Sequence, residues 1–153
     1  MSALENRIPP PFVFVLVAVA MWGGAHFYPA TVLNDWSRAP LAGIFALCGF
    51  VIPLLAVRTF RRAGTTLDPI NIETASSLVT SGIFRYSRNP MYVGLTTMLL
   101  GWAIWLGSPV TVLGPIAFAL FINRFQIIPE ERVLGAKFGA AYDAYCQSVR
   151  RWL

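Results

Sequence analysis

Charge is what this sequence has least of. Of 153 residues only 19 are charged, or 12%, against about 25% in an ordinary soluble domain. So few ionic groups cannot cover a water-facing surface, and nearly all of them fall outside four long apolar stretches. That excludes a cytosolic enzyme with a conventional core and a disordered tail. The single histidine, His26, leaves neither a histidine-based metal site nor a Ser-His-Asp arrangement. Near the outer end of an apolar stretch it reads as an anchoring or packing residue. Two cysteines, Cys48 inside an apolar stretch and Cys146 near the C-terminus, make no disulfide framework and no metal cluster, so both read as packing residues. There is no G-x-G-x-x-G, no Walker sequence, no internal repeat and no low-complexity tract. Eleven prolines and 12 glycines exclude a simple coiled coil.

What is present is hydrophobicity, at 56% of the chain, arranged in stretches of membrane length. Residues 8–34 carry no Asp, Glu, Lys or Arg, and about 20 residues suffice to cross the hydrocarbon layer. A cleaved signal is the alternative, with Gly23, Gly24 and Ala25 as small residues, but the length of the stretch and Glu5 beside Arg7 favour a retained span. Residues 39–57 form a second uncharged stretch, bent by Pro53. Residues 89–123 are too many for one span and suit two short ones, turned by Gly107, Ser108 and Pro109. The expectation is one all-α domain over 1–153, an integral membrane helical bundle. It has about four transmembrane helices, at 9–30, 39–57, 90–106 and 110–128, a loop at 58–89 and a C-terminal amphipathic helix.

The net charge of +5 reads as topology and contact with anionic headgroups rather than as nucleic-acid binding. Arg58, Arg61, Arg62, Arg85 and Arg88 lie between spans, and five more basic residues follow from Arg124 onward. Such residues mark the cytoplasmic side, which places both termini there and suggests a multi-pass protein of a bacterial inner membrane. In the segment 130–151, Leu134, Phe138, Tyr142, Tyr145 and Val149 recur at helical spacing. Pro129 followed by Glu130 and Glu131 suits a helix start. That amphipathic helix is expected to lie on the membrane or to fold back over the span ends.

The stretch 78–94 gathers Arg85, Tyr86, Arg88, Asn89, Pro90 and Tyr92 where a loop enters a span. Such an entrance can hold a charged, planar ligand. It can equally be an interfacial anchor, with arginines for headgroups and tyrosines for the aromatic belt. Arg124, Glu130 and Glu131 form a second polar cluster, which the hairpin brings to the same membrane face.

These residues carry a resemblance. The Arg-Asn-Pro-Met-Tyr-x-Gly core at 88–94 is followed after the hairpin by Glu130-Glu131-Arg132-Val133-Leu134 and then by Phe138-Gly139-x-x-Tyr142-x-x-Tyr145. The combination, over about 64–151, resembles the isoprenylcysteine carboxyl methyltransferase family, and the related phospholipid N-methyltransferases share much of it. The resemblance implies a membrane bundle that binds S-adenosylmethionine in a cytoplasm-facing pocket and takes a lipophilic acceptor from the bilayer. Carried over by position, it implies that Ser76, Ser77, Leu78, Val79, Phe84, Asn89, Pro90, Met91, Tyr92 and Glu130 bind the cofactor. Asn89 stands where the family has a histidine, which removes titration near neutrality. Gln126 stands at the acceptor, where carboxyl methyltransferases carry an arginine, and Arg124 is the nearby substitute for contact with the substrate.

On that reading the face of Phe84, Tyr86 or Tyr92 attracts the sulfonium, and Glu130 meets the amino group of its methionine portion. Arg124 and Glu131 are the expected catalytic residues, with Glu131 or Glu130 as base for an amine or thiol acceptor. The acceptor stays open among a prenylated carboxylate, a phospholipid amine and a small thiol. The rival of another class is a non-catalytic assembly or transport protein, and the oligomeric state stays open; Gly43, Ala46 and Gly49 on the second span suit close helix contact.

Overall fold

Prolines and glycines set where the helices begin and end. The computed structural model describes residues 8–29, 34–64 and 78–153, and all regular structure among them is helical. α1 (Pro10–Phe27) and α3 (Pro90–Leu106) each start on a proline, at a position where a backbone N–H has no helical partner to lose. α3 stops at Gly107, whose φ of 73° is the left-handed conformation that favours glycine. A 3-10 turn (Pro109–Val112) then leads into α4 (Leu113–Ile122). α1, α2 (Asp35–Arg62) and the helical run Pro109–Phe138 are long and apolar enough to cross a membrane, and α3 is a shorter apolar helix beside them. The fold is an all-α membrane helical bundle.

Helix ends depart from expectation at three places. α2 covers 35–62 rather than 39–57, so the short connection before it and the first residues of the 58–89 loop are helical. Charge ends the apolar stretch, but arginine is a good helix former and suits a C-terminal turn, so the helix outruns the hydrophobic segment. The arm expected over 110–128 does not stop before Pro129. α4 passes through a π turn (Asn123–Ile127) straight into α5 (Ile128–Phe138). In a regular α ladder Pro129 would press on the carbonyl four residues earlier, and the wider turn just before it relieves that conflict. The helix expected over 130–151 is two helices. α5 ends at Gly139, with φ 49° and ψ −128°, and α6 (Ala140–Ser148) follows.

Close backbone approach joins α2 to α3. Pro53 has no N–H to offer the Gly49 carbonyl, and Gly94 of α3 sits against that spot. A Cβ on Gly94 would stand 2.8 Å from the Gly49 oxygen and overlap the Pro53 ring; one on Gly49 would stand 2.8 Å from the Gly94 oxygen. Seven residues on, a Cβ on Gly101 would stand 3.0 Å from the Ala42 oxygen and the Ala46 nitrogen. In lipid, helix association rests on dispersion and such close contacts. Gly43, grouped with Gly49 in the sequence, faces open space. Cys48 is exposed rather than packed, because its neighbour Gly49 occupies the buried face of α2.

α1 closes the bundle through Trp102 Nε1, which donates to the Ala18 carbonyl at 3.0 Å, and Ser108 Oγ, which donates to the Tyr28 carbonyl at 2.6 Å. His26 is exposed beside Trp22. Leu99, Phe118, Ile122 and Ile127 form the centre of a first apolar cluster. A second cluster stands at the Arg62 end of α2, where Ala56, Val79, Phe84, Tyr142 and Tyr145 are buried with Phe60, Leu134, Phe138 and Val149 against them. The amphipathic stripe therefore folds back over the end of α2.

Gly94→Val is expected to cost about 1–3 kcal/mol by overpacking this seam. The loss should appear as a lower thermal midpoint in detergent, whereas Gly43→Val leaves the midpoint unchanged.

Candidate active site

Residues 78–89 reach α3 along the end of α2. Leu78, Val79 and Phe84 pack in the second apolar cluster, and the Phe84 ring stands edge-on to Phe60 at 4.9 Å. Gly82, at φ 60°, lies so near Thr59 that a Cβ would stand 2.8 Å from its hydroxyl oxygen, which lets the 3-10 turn Gly82–Arg85 lie close on α2. The Tyr145 hydroxyl donates to the Phe84 carbonyl at 2.7 Å and pins this turn to α6. Ser87 is buried and accepts the Asn89 backbone N–H at 3.1 Å. The Asn89 side chain does not cap its own helix. Its Nδ2 donates to the Arg151 carbonyl at 2.9 Å, while the Arg88 N–H donates to the Arg150 carbonyl at 3.0 Å. The last residues of the chain thus run beside the entrance of α3.

The π turn presents α5 to that entrance. The Tyr92 hydroxyl donates to Glu130 Oε1 at 2.6 Å, a short bond of the charge-assisted kind. Tyr92 is buried and Glu130 half-buried. The adjacent Glu131 takes two cations: Arg88 Nη2 at 3.1 Å on Oε1, and Arg151 with Nε at 3.1 Å on Oε1 and Nη2 at 2.6 Å on Oε2. Arg151 Nη1 donates to Asn123 Oδ1 at 3.3 Å, and Arg88 also contacts the Cys146 sulfur. Burial pushes the Tyr145 hydroxyl up to about 12, with the Arg88 charge opposing. Burial first, and the Glu131 charge second, also raise Tyr142. Hydrogen bonds to Glu131 raise Arg151.

Of the residues expected at the cofactor, Tyr92 and Glu130 meet as a hydrogen-bonded pair, and Asn89 and Pro90 open the helix that carries Tyr92. Leu78, Val79, Phe84 and Met91 are engaged in the second apolar cluster, and Ser76 and Ser77 lie outside the described residues. Gln126, expected at the acceptor, is fully buried and donates to the Ile8 carbonyl at 2.8 Å. A buried amide must find such a partner, and the chain ahead of α1 supplies it. Arg124 is exposed, with its guanidinium 5.4 Å from the centre of the Phe125 ring. Glu131, expected as a catalytic group, has both oxygens engaged by guanidinium donors. Arg151 and Asn123 escaped the sequence reading. The one available hint was charge balance, since two adjacent carboxylates near a membrane need cations, and the sequence offers Arg88 and the Arg150-Arg151 pair.

The sequence pattern of the phospholipid methyltransferases matches residues 37–141, from α2 into α6. The chain belongs to this family. The matched region of this family member contains the Tyr92–Glu130 pair, Arg88 and Glu131, and stops short of Arg151. An uncharacterized protein of Haemophilus influenzae is 52% identical over 63 residues, which are 41% of this chain and 100% of that one. Protein-S-isoprenylcysteine O-methyltransferase A of Arabidopsis thaliana is 38% identical over 119 residues, 76% of this chain and 59% of the relative. A probable protein-S-isoprenylcysteine O-methyltransferase of Oryza sativa subsp. indica is 33% identical over 121 residues, 77% and 62% of the two chains. The family member spans about three fifths of the length of these two methyltransferases.

A raised Tyr145 keeps its proton in the fold while the unfolded chain loses it. Its contribution is complete below pH 10 and is lost as pH rises from 10 to about 12. Alkaline denaturation of the wild type should follow that window. Tyr145→Phe should lose stability less steeply there while costing about 1 kcal/mol at neutral pH for the missing hydrogen bond.

Proposed function

We propose that this protein is a membrane methyltransferase that uses S-adenosylmethionine and modifies a lipophilic acceptor, at the end of the bundle where α3 meets α5. One observation carries the reading: the Tyr92–Glu130 hydrogen bond joins the two separated halves of the methyltransferase-like motif into one site. The residues there suit the methyl donor. A half-buried carboxylate, Glu130, is a fitting partner for the ammonium of its methionine portion, and the exposed Tyr86 ring offers a π face to its cationic sulfur. S-adenosylmethionine, when bound, supplies an electrophilic methyl group.

The protein's part is orientation and exclusion of water. Tyr92 fixes the direction of the Glu130 carboxylate, and that precision is what positioning catalysis requires. Val79, Phe84 and Met91 give the neighbouring wall an apolar character, which favours reactions in which charge is lost. On this reading Glu131 is an anchor for α5, with its oxygens committed to Arg88 and Arg151. Arg124 is exposed on the π turn, whereas Gln126 is buried in it. Arg58, Arg61, Arg62, Arg85 and Arg88 gather at this end, and the bias of basic residues supports a cytoplasmic orientation for it. The bond from Gln126 to Ile8 supports the start of the described chain lying at the same end.

The state of Gln126 favours a second reading of the acceptor. The relatives' names point to an isoprenylcysteine carboxylate, but an amide locked on Ile8 offers such a carboxylate no cation. An uncharged amine of a phospholipid, or a small thiol, suits that position better.

Calorimetry on the purified protein in detergent should find S-adenosylmethionine binding, and Tyr92→Phe and Glu130→Gln should each weaken it about tenfold, or 1.4 kcal/mol. A folded wild type that binds no donor would overturn the proposal in favour of a non-catalytic membrane protein. Membranes supplied with donor labelled in its methyl group then separate the acceptors, by whether label enters prenylated protein, phospholipid or thiol.

A further inference from the structure

We infer that Arg151 is a positioning residue: its guanidinium staples the two sides of the π turn and so fixes the rotation of α5 that brings Glu130 to Tyr92. The inference rests on reading that pair as the methyl-donor site, and it concerns a residue beyond the 37–141 family match.

The fork of Arg151 reaches two residues that bracket the turn. Nη1 meets Asn123, the first residue of the π segment, at 3.3 Å, and Nε and Nη2 meet Glu131, on α5, at 3.1 and 2.6 Å. Between those two residues lie the rest of the π segment and Pro129. A π turn is rare and often marks a functional place. It holds one residue more per hydrogen-bonded ring than an α turn, and each α residue advances the helix by about 100° because 3.6 residues make a turn. Relaxing the segment to α geometry would therefore rotate α5 against α4 by about that angle and carry Glu130 away from Tyr92. A rigid planar fork that holds both sides opposes the rotation. An ammonium on a flexible stem cannot reproduce it.

Arg151 is itself fixed to the helix that carries Tyr92. The carbonyl of Arg151 accepts from Asn89, the residue before α3, and the carbonyl of Arg150 accepts from the Arg88 N–H. Trp152 packs against the first apolar cluster. Arg88 reaches Glu131 from the same side at 3.1 Å. One residue thus ties the start of α3, through its main chain, to both sides of the π turn, through its side chain.

The test compares Arg151→Ala, Arg151→Lys and Asn123→Ala with the wild type, each as the full chain in detergent. Arg151→Ala should weaken S-adenosylmethionine binding about tenfold and speed amide exchange of residues 123–131 by about tenfold. Exchange in α1 should stay unchanged. Lysine should not rescue either quantity, and Asn123→Ala, which removes one arm only, should move both in the same direction by less. Wild-type exchange over 123–131 in Arg151→Ala overturns the inference, whether or not donor affinity falls. If Arg151→Ala does not fold, wild-type exchange in both Arg151→Lys and Asn123→Ala overturns it instead. A wild type that binds no donor removes the functional reading alone, and the exchange data still decide whether Arg151 holds the turn.

Discussion

Two guanidinium groups share one carboxylate at the polar end of this bundle, and the rest of that end is arranged around them. The side chains of Glu131 and Arg88 are 18% and 13% exposed, and that of Arg151 is 37% exposed. Glu131 and Arg88 are far enough from water to be tolerated only when paired and hydrogen-bonded, while Arg151 keeps part of its guanidinium in solvent. Removing one member of a buried pair typically costs about 3–5 kcal/mol, because the other is left without a partner. Each partner comes from a different piece of chain: Arg88 from the approach to α3, Glu131 from α5 and Arg151 from the segment after α6. Satisfying one buried anion therefore forces three segments distant in sequence to meet. The scarcity of charge in the sequence has the same root, since ionic groups survive near the lipid only where a partner is built in.

The fold class was legible because membrane helices have few ways to satisfy their backbone, so long uncharged stretches leave little choice. Pro90 and Gly107 punctuate α3 as a sequence reader would hope. What the sequence hid is the difference between the end of hydrophobicity and the end of a helix. Arg58, Arg61 and Arg62 end the first and continue the second. Pro129 looks like a helix start, yet the chain runs through it on a widened turn, because the strain of a proline can be absorbed one turn earlier. Gly139 lies inside an unbroken stripe of spacing from Leu134 to Val149, and periodicity carries no information about its positive φ.

At the site, Tyr92 and Glu130 could be read as separate motif positions but not as a bonded pair, since the pairing depends on how α5 is rotated by the π turn. Gln126 illustrates the opposite limit. A polar residue in an apolar stretch invites a role with ligand, but here the amide is consumed by the Ile8 carbonyl. Arg151 was invisible because a terminal arginine at a membrane face looks like any other headgroup contact. Only the positions of Asn89, Asn123 and Glu131 distinguish it.

The length of α2 bears on where the second apolar cluster stands. Its uncharged stretch, residues 39–57, measures about 28 Å at 1.5 Å per residue, close to the roughly 30 Å of the hydrocarbon layer. The five residues that follow, up to Arg62, add about 7 Å beyond it. Phe60, Phe84, Tyr142 and Tyr145 therefore pack at the depth of the lipid headgroups, where water competes for every contact and acyl chains give no cover. An apolar cluster at that depth has to be roofed by protein, which is what α6 and the returning C-terminal segment provide. The bundle in effect carries a small core of the soluble kind on a membrane stalk, so that contacts of both kinds of solvent meet at one end of it.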